Sequence, residues 1–141
     1  MMETRIIVHD VTQARAALAS AGALGRRVTL QSPAATSAAM GPALFAEICA
    51  LARSEHAAAF AGAIFDCGDE AGQALAAIRQ GGLDLLIDLP AEAAAKLRDM
   101  AAQSGARVIE KSETPVLDLA DATAEKDAAD RVRHFLETHP A

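Results

Sequence analysis

The chain has 141 residues and a formal net charge of −6, with 52% hydrophobic residues, 3% aromatic residues and neither Trp nor Tyr. A length of this order fits one domain, able to bury about 68–70% of its unfolded surface without disulfide or metal staples. The acidic balance and the missing aromatic platforms argue against nucleic-acid partners and against anionic membrane surfaces.

Cys49 and Cys67 are too few for a disulfide framework. The start, Met1-Met2-Glu3-Thr4-Arg5, lacks a basic stretch followed by an apolar leader. Every strictly apolar run is far shorter than the ~18 residues of a membrane span. A single cytoplasmic α/β domain over residues 1–141 is the expectation.

The first predicted strand is Arg5 to Val8, followed by Asp10 as an N-cap with Gln13 three residues on, as in a capping box. The helix after it carries Leu18 and several Ala and stops near Gly22 and Gly25. A second strand, Arg27 to Leu30, leads through the small residues from Ser32 to Ser37 into a helix opened by Gly41-Pro42. Leu44, Phe45, Ile48, Cys49, Leu51 and Ala52 form its apolar stripe.

The third strand is read as about Ala59 to Phe65, ending in Asp66-Cys67-Gly68-Asp69. Leu75 and Ile78 mark the next helix, which Gly81-Gly82 ends. Leu83 to Ile87 is a nearly continuous apolar strand, as suits one covered on both faces. Asp88-Leu89-Pro90 opens the fourth helix, with a Glu92–Lys96 pair at i,i+4. Arg107 to Ile109 make a fifth strand. The stretch 112–122, with Val116, Leu117 and Leu119, fits either a short extra strand or a packed loop. A last helix runs from about Thr123 to Glu137.

Strands alternating with helices predict βα units and a mainly parallel sheet. A fragment of a (βα) barrel shares this pattern, but a full barrel needs roughly 250 residues, so the length favours a three-layer open sheet of five strands, in the flavodoxin-like order 2-1-3-4-5 with helices on both faces. Right-handed crossovers place every strand C-terminus on one edge, beside which ligands of such sheets bind. That edge would gather His9, Asp10, Gln31, Ser32, Asp66, Cys67, Asp69, Asp88, Glu110 and Lys111.

Most acids and serines at strand-to-helix junctions are N-caps. Against that background four chemistries can be framed. Cys67 beside a helix N-terminus would be a nucleophile with His9 as its base, although Asp66 and Asp69 would raise its pKa. Asp10, Asp66 and Asp88 supply the hard oxygens that Mg2+ prefers. The segment from Ser32 to Gly41 could cradle an anion at the following helix N-terminus. Asp66 with Lys111 is a partial match to a receiver-like switch domain with Asp66 as acceptor. No nucleotide-binding glycine motif or Walker lysine is present.

The expected function is small-ligand binding or self-association at this edge; the alternatives are a small metal-assisted or thiol-using enzyme and the receiver-like switch. A light, Ala-rich core gains from burying surface in a partner, so a homodimer through the last helix and the Val116, Leu117 and Leu119 segment is expected.

Overall fold

The computed structural model describes residues 3–34, 40–111 and 114–140. In chain order it contains β1 (Arg5–Ile7), α1 (Val11–Ala23), β2 (Val28–Gln31), α2 (Pro42–Glu55), β3 (Phe60–Gly68), α3 (Ala71–Gln80), β4 (Asp84–Ile87), α4 (Ala91–Gln103), β5 (Val108–Glu110), β6 (Val116–Asp118) and α5 (Glu125–Thr138). No helix among the described residues is long and apolar enough to cross a membrane.

The local signals act where the sequence places them. Asp10 caps α1, its carboxylate accepting from the Gln13 amide at 2.8 Å. Gln13 reaches back to the His9 amide, also at 2.8 Å, and so closes a capping box around the strand end. Pro42 opens α2, where its missing N–H costs nothing.

All six strands are parallel, and their order is 5-4-3-2-1-6. This corrects the expected five strands in the order 2-1-3-4-5. The chain never reverses direction between β1 and β5, so right-handed crossovers leave α1 to α4 on one face. Packing agrees: α1 lies against α2, α2 against α3 and α3 against α4, while α5 lies on the other side of α1. The helices therefore form one layer, not two.

The segment left open between strand and loop is the sixth strand. Arg5, Ile6 and Ile7 pair with Val116, Leu117 and Asp118. Leu119 is fully buried and Leu117 packs against the core. Of the apolar residues invoked for a dimer surface, Leu119 is thus spent inside the protomer, while Val116 and Leu117 stay partly exposed on the edge strand β6.

One hydrophobic core fills the space between sheet and helices. Ile6, Leu30, Phe65 and Leu85 project into it from the strands, and Ala17, Phe45, Leu97 and Val132 from the helices. Phe45 and Phe65 meet at 6.2 Å between ring centroids. Alanines on α1, α3 and α4 let backbones approach the sheet closely, as the composition implies.

The alternate strand residues face away from the helices. Register places Arg5 beside Thr29, and Ile7, Gln31, Ile64 and Asp84 in the next row, with Asp66 and Leu86 in the row after that. Parallel sheets are rarely bare on one side, and this face is sheltered too: Ile64, Thr29, Gln31, Arg5 and Leu86 are all buried.

Chain length shows how. β5 and β6 lie at opposite edges, about 24 Å apart if the sheet were flat, given ~4.8 Å per strand. Through the register, Val116 aligns with Gly62 and Glu110 with Gly68, a further offset of about 20 Å along β3. From 110 to 116 the chain takes six steps and spans about 22 Å at most. The sheet must curl to bring its edges together. Its hollow side is the helix-free face, where the side chains of Glu3, before β1, and Arg107, before β5, meet at 3.0 Å. One-way winding with the helices outside a curled parallel sheet is the arrangement of a partial (βα) barrel, not of a doubly wound sheet.

Candidate functional site

The C-terminal ends of β3, β4 and β5 open onto a cleft of about 300 Å3 lined by Ala34, Asp66, Gly68, Asp69, Leu86, Ile87, Asp88 and Lys111. Asp66 and Leu86 belong to the hollow face, so the cleft is the mouth of that hollow. Of the residues expected at this edge, Asp66, Asp69, Asp88 and Lys111 line it together. Asp10, His9, Ser32 and Cys67 do not.

β3 runs on to Gly68, past the expected end at Phe65, so Asp66 and Cys67 lie inside the strand. The register against β4 shifts between Asp66 and Gly68. This bulge leaves Cys67 as the additional residue, and the alternation of the strand sets Cys67 with Phe65 on the core side and Asp66 on the other. Gly68 takes a φ of +55°, a left-handed conformation that glycine adopts without a Cβ penalty. Its amide donates to Asp66 Oδ1 at 3.0 Å, and its carbonyl accepts from the Asp88 amide at 2.8 Å. The turn thereby ties both acids to the mouth.

Ser32 supports this arrangement from β2. Its hydroxyl accepts from the Asp66 amide at 2.8 Å and donates to the Pro33 carbonyl. It is a positioning residue, itself buried. Burial raises the Asp66 pKa above the ordinary aspartate value, although the Gly68 amide and the nearby Lys111 charge pull the other way. The anion cradle expected over Ser32 to Gly41 includes 35–39, which lie outside the described residues.

Cys67 is fully buried on the helix side of the sheet. α3 begins only at Ala71, with Glu70 as its N-cap, so the thiol does not sit at the helix terminus. Burial, with Asp66 adding to it, pushes the thiol pKa up to about 12. His9 lies at the end of β1, separated from β3 by β2. The thiol–imidazole pairing is therefore not assembled.

Asp10 is held in its cap, with β2 between it and Asp66 and both β2 and β3 between it and Asp88. Among the described residues, no group of three or more His, Cys, Asp and Glu side chains is placed to share a metal ion. The receiver-like match weakens for the same reason: with β2 inserted between β1 and β3, the acid after the first strand cannot reach Asp66, although Lys111 does share its cleft.

Two arrangements were not foreseen from the residues. His9 Nε2 meets Asp118 Oδ1 at 2.7 Å, joining the ends of β1 and β6. On the hollow face, Glu3 accepts from Arg5, Thr29 and Arg107, and Arg107 also pairs with Asp84 at 3.0 Å. Strand-start charges at Arg5, Asp84 and Arg107 were the available signal, but only the curl brings them together. In the row above Thr29, the buried Gln31 has a carbonyl oxygen with no hydrogen-bond partner.

A larger cleft of about 610 Å3 lies at the other end of the molecule, where α2 and α3 diverge over the start of β3. Its floor is mostly alanine with Cys49 and Phe60, and Arg53 lies over the Phe60 ring at 5.0 Å. Small residues leave this groove between helices; it gathers no cluster of titratable groups comparable to the mouth.

No protein-family model matches the chain, and a search of curated proteins finds no significant match.

Proposed function

We propose that the domain binds a small polar molecule in the mouth of its curled sheet, with Asp66 and Asp88 as the principal contacts and Lys111 and Asp69 at the rim. The observation that supports this most is the convergence of these four side chains, from three successive strand ends, on one cleft. Capping does not account for it: α3 and α4 have Glu70 and Pro90 at their N-caps with no side-chain cap bond, so Asp66, Asp69 and Asp88 are not occupied in that role. Ligands of parallel sheets with external helices bind at this end, where several strands contribute residues.

The test is a fragment library screened by amide chemical shifts on the full chain. Binding in the mouth shifts the Gly68, Asp69 and Asp88 signals together, and the shifts disappear in Asp66→Asn. A library that leaves those signals unmoved while perturbing residues elsewhere would remove the reading.

A further inference from the structure

Resting on the reading of the mouth as a ligand site, we infer that its ligand is a short organic dication, with two ammonium or guanidinium groups separated by a few carbons. Three carboxylates, Asp66, Asp69 and Asp88, and one ammonium, Lys111, line the cleft, so the lining carries three negative charges less one positive, a net −2. The groups do not converge on a point: no three acidic, His or Cys side chains among the described residues are placed to hold one ion. A compact dication such as Mg2+ needs such convergence. Two cationic groups held apart by a hydrocarbon do not, and Leu86, on the same face as Asp66, supplies apolar lining for the spacer.

A second, independent observation points the same way. Gln31 is 4% exposed, and its side-chain carbonyl lacks a donor. It stands on the hollow face on β2, opposite Ile64, and is therefore the diagonal neighbour of Asp66 one row deeper. A buried acceptor left without a donor is costly and calls for an explanation. A ligand N–H reaching past Asp66 would satisfy it. The mouth and the row beneath it thus offer acceptors in excess of donors, which selects a ligand made of donors.

The experiment is isothermal titration of the full chain with 1,4-diaminobutane, with MgCl2 and inorganic phosphate as comparison probes at the same ionic strength. Saturable one-to-one binding of the diamine is expected, weakened more than tenfold by Asp66→Asn and by Asp88→Asn. Gln31→Leu, checked for folding by circular dichroism, should weaken it several-fold. Stronger binding of phosphate or MgCl2 than of diamine would overturn the inference, as would diamine binding unaffected by Asp66→Asn, or no binding of diamines with three to six carbons. If fragments of another class still shift the Gly68 and Asp88 amides, the mouth remains a ligand site and only the cationic assignment fails.

Discussion

Glu3 and Arg107 are 104 positions apart in the chain and precede strands four places apart in the sheet, yet their side chains meet at 3.0 Å. The contact closes a charged chain from Arg5 through Glu3 and Arg107 to Asp84, which lies across the N-terminal end of the hollow face. The opposite end of the same hollow is the acidic mouth. One end is sealed by paired charge and the other is open with charge in excess, which gives the domain a direction.

Glu3→Gln should lower stability by about 1–2 kcal/mol in urea unfolding, a range that allows for the partial exposure of the group. Burial disfavours the Glu3 carboxylate, but Arg107 and Arg5 outweigh it and hold its pKa below the ordinary value. A carboxylate with a lowered folded-state pKa contributes stability above its unfolded value, lost as pH falls through the folded one. The wild type should therefore lose more stability than Glu3→Gln as the pH drops below the usual glutamate range. Parallel acid profiles would show the clasp contributes nothing.

Asp66 carries the opposite sign. Its folded-state pKa is raised by burial, so its charge opposes folding once the pH exceeds the ordinary aspartate value. Asp66→Asn should be at least as stable as the wild type at neutral pH, with the difference vanishing in acid. A substitution that stabilises the fold while abolishing mouth binding is the pattern of a residue retained for function. A clear loss of stability at pH 7 would instead make Asp66 a structural residue.

Gln31→Leu removes a buried acceptor that has no donor. It should stabilise the free protein by about 1 kcal/mol, read as a raised melting temperature. A destabilisation of that size would mean that the amide holds the fold through its other atoms.

Neither cysteine should react in the native state. Burial pushes both thiols up to about 12, so the thiolate is scarce at neutral pH. Labelling by a disulfide reagent should be at least about 100-fold slower than for a free cysteine and should become complete in denaturant. Rapid native labelling of Cys67 would restore it as a nucleophile candidate.

Leu119→Ala should cost about 2–5 kcal/mol because a fully buried leucine is truncated. Light scattering on the wild type separates this from any interface role. A dimer that Leu119→Ala dissociates without loss of fold would contradict the placement of Leu119 in the core.

Local pattern was enough for the elements themselves. The β-branched runs at Arg5 to Ile7 and Val28 to Leu30, the Asp10 cap, the Gly41-Pro42 start and the glycines after α3 act through neighbours in sequence, and each element forms where they place it. The C-terminal edge was also legible, because right-handed crossovers between parallel strands follow from chirality alone, and four of the residues expected there, Asp66, Asp69, Asp88 and Lys111, share the mouth. Strand order was not legible. Nothing local tells β2 to insert between β1 and β3, and that one choice removed Asp10 and His9 from the site. It also put every helix on one side and made 116–118 a sixth strand. The Cys67 expectation failed on three residues of strand length, since β3 runs on to Gly68 against β4 and that pairing is not written in the local sequence. The clasp and the mouth exist only because a short link between opposite edges forces the sheet to curl, and curvature is a property of six paired strands that no single segment encodes.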